Sequence, residues 1–274
     1  MRKILSITIE HFHEKRWIFI LFGLLMGFTG FIMITLVDFL DVSAYAVILE
    51  TFPVEFVDLV GGFEAFTSPY GFVNVELFAF VWIFVGIFIV FVASGSALPS
   101  EVEDKTIDLI LSKPISRSTY LMSKIFFLFL FVTTLMAVVF AFIGLGMMTS
   151  PTFIDYGLYW DRLLLVYIIN VVHLGTLAMT ALLFATITLN SKKTMGIALA
   201  IMFLMFFLGT LWHFLPDEQQ FIKYFSTWFY LDTSDLFVQG IFDNFLRDLL
   251  VLLGVNMSLI VSSLLIFRRR DIPV

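Results

Sequence analysis

An all-α membrane protein with six transmembrane helices is the fold class this sequence predicts, on three observations. The first is composition: of 274 residues, 60% are hydrophobic and only 14% charged, where a soluble domain carries about 25% charged residues. The second is a mean hydropathy of +1.01, too apolar for a surface that must face water. The third is six stretches without a charge, each long enough to cross a hydrocarbon core of roughly 30 Å, which needs about 20 residues. Together they exclude a soluble globular protein, a disordered chain and a nucleic-acid binder. Cysteine is absent, so there is no disulfide framework, thiolate metal site or cysteine nucleophile.

The elements follow in order along a single transmembrane domain, residues 1–274. Residues 1–16 read as an amphipathic helix rather than a cleavable signal peptide, because polar and charged residues fill them and no small-residue cleavage site follows. At 100° per residue, Ile4, Leu5, Thr8, Ile9 and Phe12 share one side; Lys3, Ser6, Glu10, His13 and Glu14 share the other. Such a helix is expected to lie in the headgroup plane and to enter the first span at a sharp angle. The spans are predicted at residues 17–37, 77–98, 125–148, 163–189, 195–215 and 249–267. Asp38 closes the first, Glu76 and Pro99 bound the second, Pro216 ends the fifth, and Arg268, Arg269 and Arg270 stop the sixth.

Six spans put both termini on one side, and the basic residues say which. Segments on the termini side hold Arg2, Lys3, Lys15, Arg16, Lys105, Lys113, Arg117, Lys124, Lys192, Lys193 and the three terminal arginines, thirteen of the sixteen basic residues. The positive-inside rule therefore predicts cytoplasmic termini. The loops at 38–76 and 216–248 are then outside. The second is rich in aromatic residues, with Phe221, Tyr224, Phe225, Trp228 and Phe229 at helical spacing and Ser234-Asp235 able to start a short helix. Such a segment is expected to dip into the protein or its interface rather than to project into water. Trp228, Phe229 and Tyr230 are candidates for closing the outer end.

The loop at 99–124 carries the most information. Ser100 with Glu103 three residues on is a capping-box pattern, and Glu101, Glu103 and Asp104 suit the positive end of a helix dipole. The spacing predicts a helix over 101–111. Val102, Thr106, Leu109 and Ile110 lie on one face; Glu101, Asp104, Lys105 and Asp108 lie on the other. Pro114 ends it, and Ser116 can cap a helix that runs on into the third span. Arg117 and Lys124, seven residues apart, share a face at headgroup depth. By its residues alone the helix is either a solvated amphipathic connector or a docking element.

Residues 101–124 resemble the inner loop of the type-2 ABC exporter permeases. The likeness rests on the glutamate pair, then Thr106-Ile107-Asp108-Leu109-Ile110-Leu111-Ser112-Lys113-Pro114-Ile115-Ser116-Arg117, Tyr120-Leu121 and Lys124. The chain departs at Lys105, where the family usually has glycine. The six-span topology, the N-terminal helix and the long loop before the last span extend the likeness over most of the chain. The resemblance implies an ATP-driven exporter of two permeases and two ATPase subunits in the cytoplasmic membrane. Its coupling helix, with Glu101, Val102, Glu103, Thr106, Asp108, Leu109, Ile110 and Arg117, would contact the ATPase. The chain holds no Gly-Lys dipeptide and so no Walker A loop. ATP and Mg would thus bind the partner, and the chain itself is expected to be neither an enzyme nor a cofactor or metal protein.

Other constellations are weaker. Asn170, His173, Thr176 and Thr180 fall within one arc of about 120° on a helix. They either line a pathway or hydrogen-bond between helices as packing glue. His11 and His13 lie about 200° apart on a helix and do not converge on a metal. A secondary transporter needs a buried ionisable relay, and the six spans hold no Asp, Glu, Lys or Arg. An intramembrane enzyme lacks its motifs. A permease-like subunit that relays ATPase motion without moving a solute stays open. For a permease dimer, the small residues Gly196, Ala198, Ala200 and Gly209 of the fifth span favour it as the seam, with Gly86 and Ala93 of the second as the alternative.

Overall fold

The computed structural model describes residues 2–40, 53, 57, 67–96, 98–103 and 116–270. Among them all regular structure is helical. Six helices are long and apolar enough to cross a membrane: Lys15–Phe39, Pro69–Gly95, Arg117–Thr149, Trp160–Thr188, Ser191–Phe214 and Phe245–Arg269, here spans one to six. The protein is therefore a multi-pass membrane protein. Spans two, three and four form its centre, with half or more of their most apolar windows buried. Spans five and six are the most peripheral, at 17% each. Arg2, the helix Leu98–Glu103, Ser116 and Arg270 lie at one end of the bundle, the termini end; residues 67–69, 150–159 and 211–244 lie at the far end.

The N-terminal segment does not meet span one at an angle. Arg2–Leu36 is one continuous helix of 35 residues, roughly 50 Å at 1.5 Å per residue. Neither Gly nor Pro interrupts it before Gly23, and span three accompanies it along its length. Thr8 donates to the Ser123 carbonyl, 3.2 Å away, and Phe19 meets Phe131 edge-on. Higher up, Gly27 and Gly30 let the two helices touch: a Cβ at Gly27 would lie 2.8 Å from Phe142 and one at Gly30 2.9 Å from Ile143. Small residues admit such approach in lipid, where packing rather than hydrophobicity drives association. The opposite face, Trp17, Leu21, Leu25, Phe28 and Ile32, is exposed.

Span two begins eight residues before its predicted start. Ser68 accepts from the Gly71 amide, and Pro69 takes the first helical position, a favoured place because its missing N–H would be unpaired there anyway. Glu76 therefore lies within the helix and does not bound it. Asn74–Val81 is π-helical before the α-helix resumes at Trp82. The small residues of span two serve packing within the subunit: Ala93 is fully buried, and a Cβ at Gly86 would lie 3.1 Å from Met202 and 3.3 Å from Leu177.

Ser116 caps span three as expected, accepting from the Thr119 amide at 3.1 Å. At the far end Ser150 and Pro151 start a short helix, Pro151–Tyr156. Its first turn is tied to span one through Asp38, which accepts from Ser150 Oγ at 2.5 Å and the Thr152 amide at 3.1 Å. Span four ends with Leu189 at φ 51°, after which Asn190 caps span five.

Beyond span five the chain returns into the bundle. The aromatic helix expected over 221–229 stops at Phe225, in a 3₁₀ segment Asp217–Phe225. Ser226 breaks it: its hydroxyl bonds to the Met205 carbonyl and accepts from the Trp228 amide. Trp228 is thereby turned inward. Ser234 opens the short helix Ser234–Gln239, closed by Gly240 at φ 71°.

Candidate functional site

At the termini end, Glu101, one of the predicted coupling residues, lies in a knot of charge inside the protein. Lys124, expected at headgroup depth, is 2% exposed and pairs with Glu101 Oε1 at 2.7 Å. His11 Nε2 lies 3.4 Å from the same oxygen and contacts the Lys124 ammonium. The Tyr120 hydroxyl donates to the other carboxylate oxygen. Burial pushes the Glu101 carboxyl up, but the hydrogen bond to His11 and the charge of Lys124 outweigh it and hold it below the usual carboxylate range. Glu101 thus joins the N-terminal helix to span three.

Glu103 does not complete a capping box with Ser100, which already lies inside the helix Leu98–Glu103. Its carboxylate instead serves a different helix. It accepts from Asn190 Nδ2 at 2.9 Å and from the Ser191 amide and hydroxyl at 2.9 and 2.8 Å. An anion at a helix N-terminus meets unpaired N–H groups and the positive dipole end. Val102 packs against the core. Arg117 donates to the Arg270 carbonyl at 2.6 Å, joining the starts of span three and of the C-terminal tail. Thr106, Asp108, Leu109 and Ile110 lie outside the described residues.

The polar arc of span four lies inside the subunit. Asn170 and His173 are fully buried and Thr176 is 1% exposed. Thr176 accepts from Asn256 of span six at 2.7 Å, and Thr180 bonds back to the Thr176 carbonyl. His173 stands edge-on to Trp228, with ring centroids 4.6 Å apart. These residues join span four to span six and to the returning segment. Asn256, scattered among serines in the sequence, becomes legible as a partner only when the two helices face each other.

The far end holds a wide open space. A cavity of about 610 Å³ lies between the π-helical part of span two, the end of span five and the returning segment. Its walls include Phe78, Phe80, Phe207, Trp212, Trp228 and Phe229, and its polar edge includes Asn74, Asp232 and Asp235. Of the residues expected to close this end, Trp228 is 9% exposed and wedged against Phe206 and His173. Phe229 stands against Trp212 and Tyr224, and the Tyr230 hydroxyl donates to the Tyr224 carbonyl at 3.0 Å. Asp232 accepts from the Asp235 amide at 3.0 Å. Sequence reasoning missed this site because Asn74 and Asp232 are 158 positions apart and neither sits in a motif.

No curated protein matches the chain. The family described as "ABC-2 family transporter protein" matches residues 46–209, from the loop after span one to the end of span five, which is more than half of the 274 residues. With that match covering Glu101, Tyr120 and Lys124 of the knot, and with six apolar helices in the fold, the chain belongs to the ABC-2 family of transporter proteins, as a membrane permease.

Proposed function

We propose that the chain is the membrane-spanning subunit of an ATP-driven exporter, powered by a separate ABC ATPase and set in the cytoplasmic membrane with both termini inside. The observation that carries this reading is how the short helix Leu98–Glu103 is connected. Glu101 holds span three and the N-terminal helix; Glu103 holds the start of span five. A push on this helix reaches spans one, three and five together, through charge-assisted hydrogen bonds that resist displacement. Coupling over distance requires such a contiguous, rigid connection. Because Glu101 and Glu103 are engaged within the subunit, the acids left for the ATPase in this reading are Asp104 and Asp108. The chain purified in mild detergent is expected to bring an ABC ATPase with it. Single cysteines at positions 104 and 108 of this cysteine-free protein should crosslink to that ATPase. A permease that copurifies without any ATPase, or one that crosslinks at neither position, would sink the reading.

The working assembly is proposed to contain two permeases and two ATPases, since C₂ is the commonest oligomeric symmetry. Span five supports its place at the seam. Ile197, Ala200, Leu204, Phe207 and Leu211 are exposed at alternating three- and four-residue spacing, with exposed Gly196 beside them, the spacing of a helix-packing stripe. Gly209 belongs to the returning segment of its own subunit, since a Cβ there would lie 2.6 Å from Ser226 Oγ. Cysteines at positions 197, 204 and 211 should give homodimer crosslinks, and cysteines at buried Ala198 and Met202 should not. Strong crosslinks along span three or four with none along span five would remove this seam. The cargo is proposed to be amphiphilic, because a pathway between such helices offers aromatic, aliphatic, amide and hydroxyl contacts.

A further inference from the structure

The far-end cavity has features that subunit packing does not require. Its volume of about 610 Å³ falls in the ~300–1,000 Å³ range of small-molecule sites. One wall is the π-helical stretch Asn74–Val81, a distortion that recurs at functional sites. Phe80, on span two, lines it and is 55% exposed, so the cavity opens beside exposed apolar surface of the kind that meets lipid. Its polar edge is acidic and uncompensated. Among the described residues, no Lys or Arg forms an ion pair with Asp232 or Asp235. Lys223, which does not line the cavity, sits 3.7 Å from the Trp212 ring centroid. Asn74 is 4% exposed, lines the same cavity, and its Oδ1 is buried without a hydrogen-bond partner. A buried acceptor of this kind costs stability unless a donor arrives.

We infer that this cavity binds an amphiphilic organic cation, its apolar body against Phe80, Phe207 and Trp228 and its positive head beside Asp232 and Asp235. The charge decides the class. An anion would meet two carboxylates, and a neutral apolar molecule would leave them without a counter-ion. A cation gains from both. Entry from the bilayer suits the lipid-facing mouth. The inference deepens the exporter reading by naming a cargo class and rests on that reading for its use.

Protonation gives a second handle. Burial raises the Asp232 carboxyl to about 6; the Asp235 amide opposes this, while the charges of Asp235 and of Asp248 on span six add to it. Arg247, the cation in the first turn of span six, is paired with Asp248, and His213 is the titratable group on the span-five wall. Ionised Asp232 favours a cation, so binding should tighten as the pH rises through about 6.

The test uses the purified full-length permease in detergent without ATPase, so failure here leaves the transport reading standing, and failure to recruit an ATPase leaves binding intact. The probes are tetraphenylphosphonium and tetraphenylborate, equal in shape and opposite in charge. Saturable binding of the cation, at least tenfold tighter than of the anion, is expected. Asp232→Asn should weaken it about tenfold or more, and pH 5 should weaken it relative to pH 8. Ala79→Phe should abolish it by filling the cavity, and it keeps the test decisive if Asp232→Asn does not fold. Equal binding of the two ions would assign the cavity to a neutral occupant and overturn the inference. So would cation binding that survives Ala79→Phe, or no saturable binding at all.

Discussion

Glu101→Gln is expected to cost the protein about 3–5 kcal/mol, the cost of removing one partner of a buried ion pair. The amide keeps the shape of the carboxylate and a place for the Tyr120 hydroxyl. What it removes is the charge of the carboxylate that Lys124 Nζ meets at 2.7 Å, and Lys124 is 2% exposed. The loss should appear as a fall in melting temperature on the order of 10 °C. Replacing both partners, as Glu101→Gln with Lys124→Met, should recover most of it, because removing a buried pair together is often nearly neutral. A single variant that melts with the parent would show that the pair does not hold span three to the N-terminal helix.

The same residue sets an acid limit. Its folded pKa lies below the ordinary carboxylate value. The stabilisation is therefore present above the ordinary carboxylate range and is lost as the pH falls through the folded value. The gap in stability between parent and Glu101→Gln should be full near neutral pH and close in acid, where the parent's own carboxyl is protonated. A gap that stays constant down to low pH would remove the electrostatic explanation.

Gly209→Ala should also destabilise, although alanine is the better helix former by up to about 1 kcal/mol. The added Cβ would lie 2.6 Å from Ser226 Oγ, 2.7 Å from Trp228 Cβ and 3.0 Å from the Phe229 backbone nitrogen. Two of these atoms are backbone or attached directly to it, so relief requires the returning segment to move. Overpacking of this kind costs about 1–3 kcal/mol, which exceeds the propensity gain, itself diminished in the last turn of the helix. Gly209→Leu should displace the segment outright. Trp228 should then become accessible to an aqueous fluorescence quencher, and the far-end cavity should lose its wall. Greater thermal stability in Gly209→Ala would mean that the close approach is absent.

The contrast between what was and was not legible is sharpest in the charged residues. Lys124 reads along the chain as a headgroup lysine at the mouth of span three. Its burial follows from two partners that the local sequence does not contain: Glu101 is 23 positions away and His11 is 113. Glu103 reads as the third position of a capping box with Ser100, yet it serves a helix start 88 residues later. Ser116, by contrast, caps the helix that its own neighbours build, and it was read correctly from them. Span two was placed eight residues late because Glu76 looked like a boundary. The helix starts instead at Ser68-Pro69 and accommodates the charge of Glu76.

The sequence by itself determined six apolar helices, their order, and the side on which the basic residues gather. Crossing a hydrocarbon core depends on the summed transfer free energy of about 20 consecutive residues, and that sum is local. Only the tertiary structure decided that the N-terminal helix runs unbroken into span one, that Trp228 turns inward, and that Asn74 and Asp232 meet at one cavity. In lipid, apolar helices are equally content beside each other or beside acyl chains, so close packing and a few hydrogen bonds choose the neighbours. Those choices are made between residues far apart in the chain, where no window of sequence holds both partners.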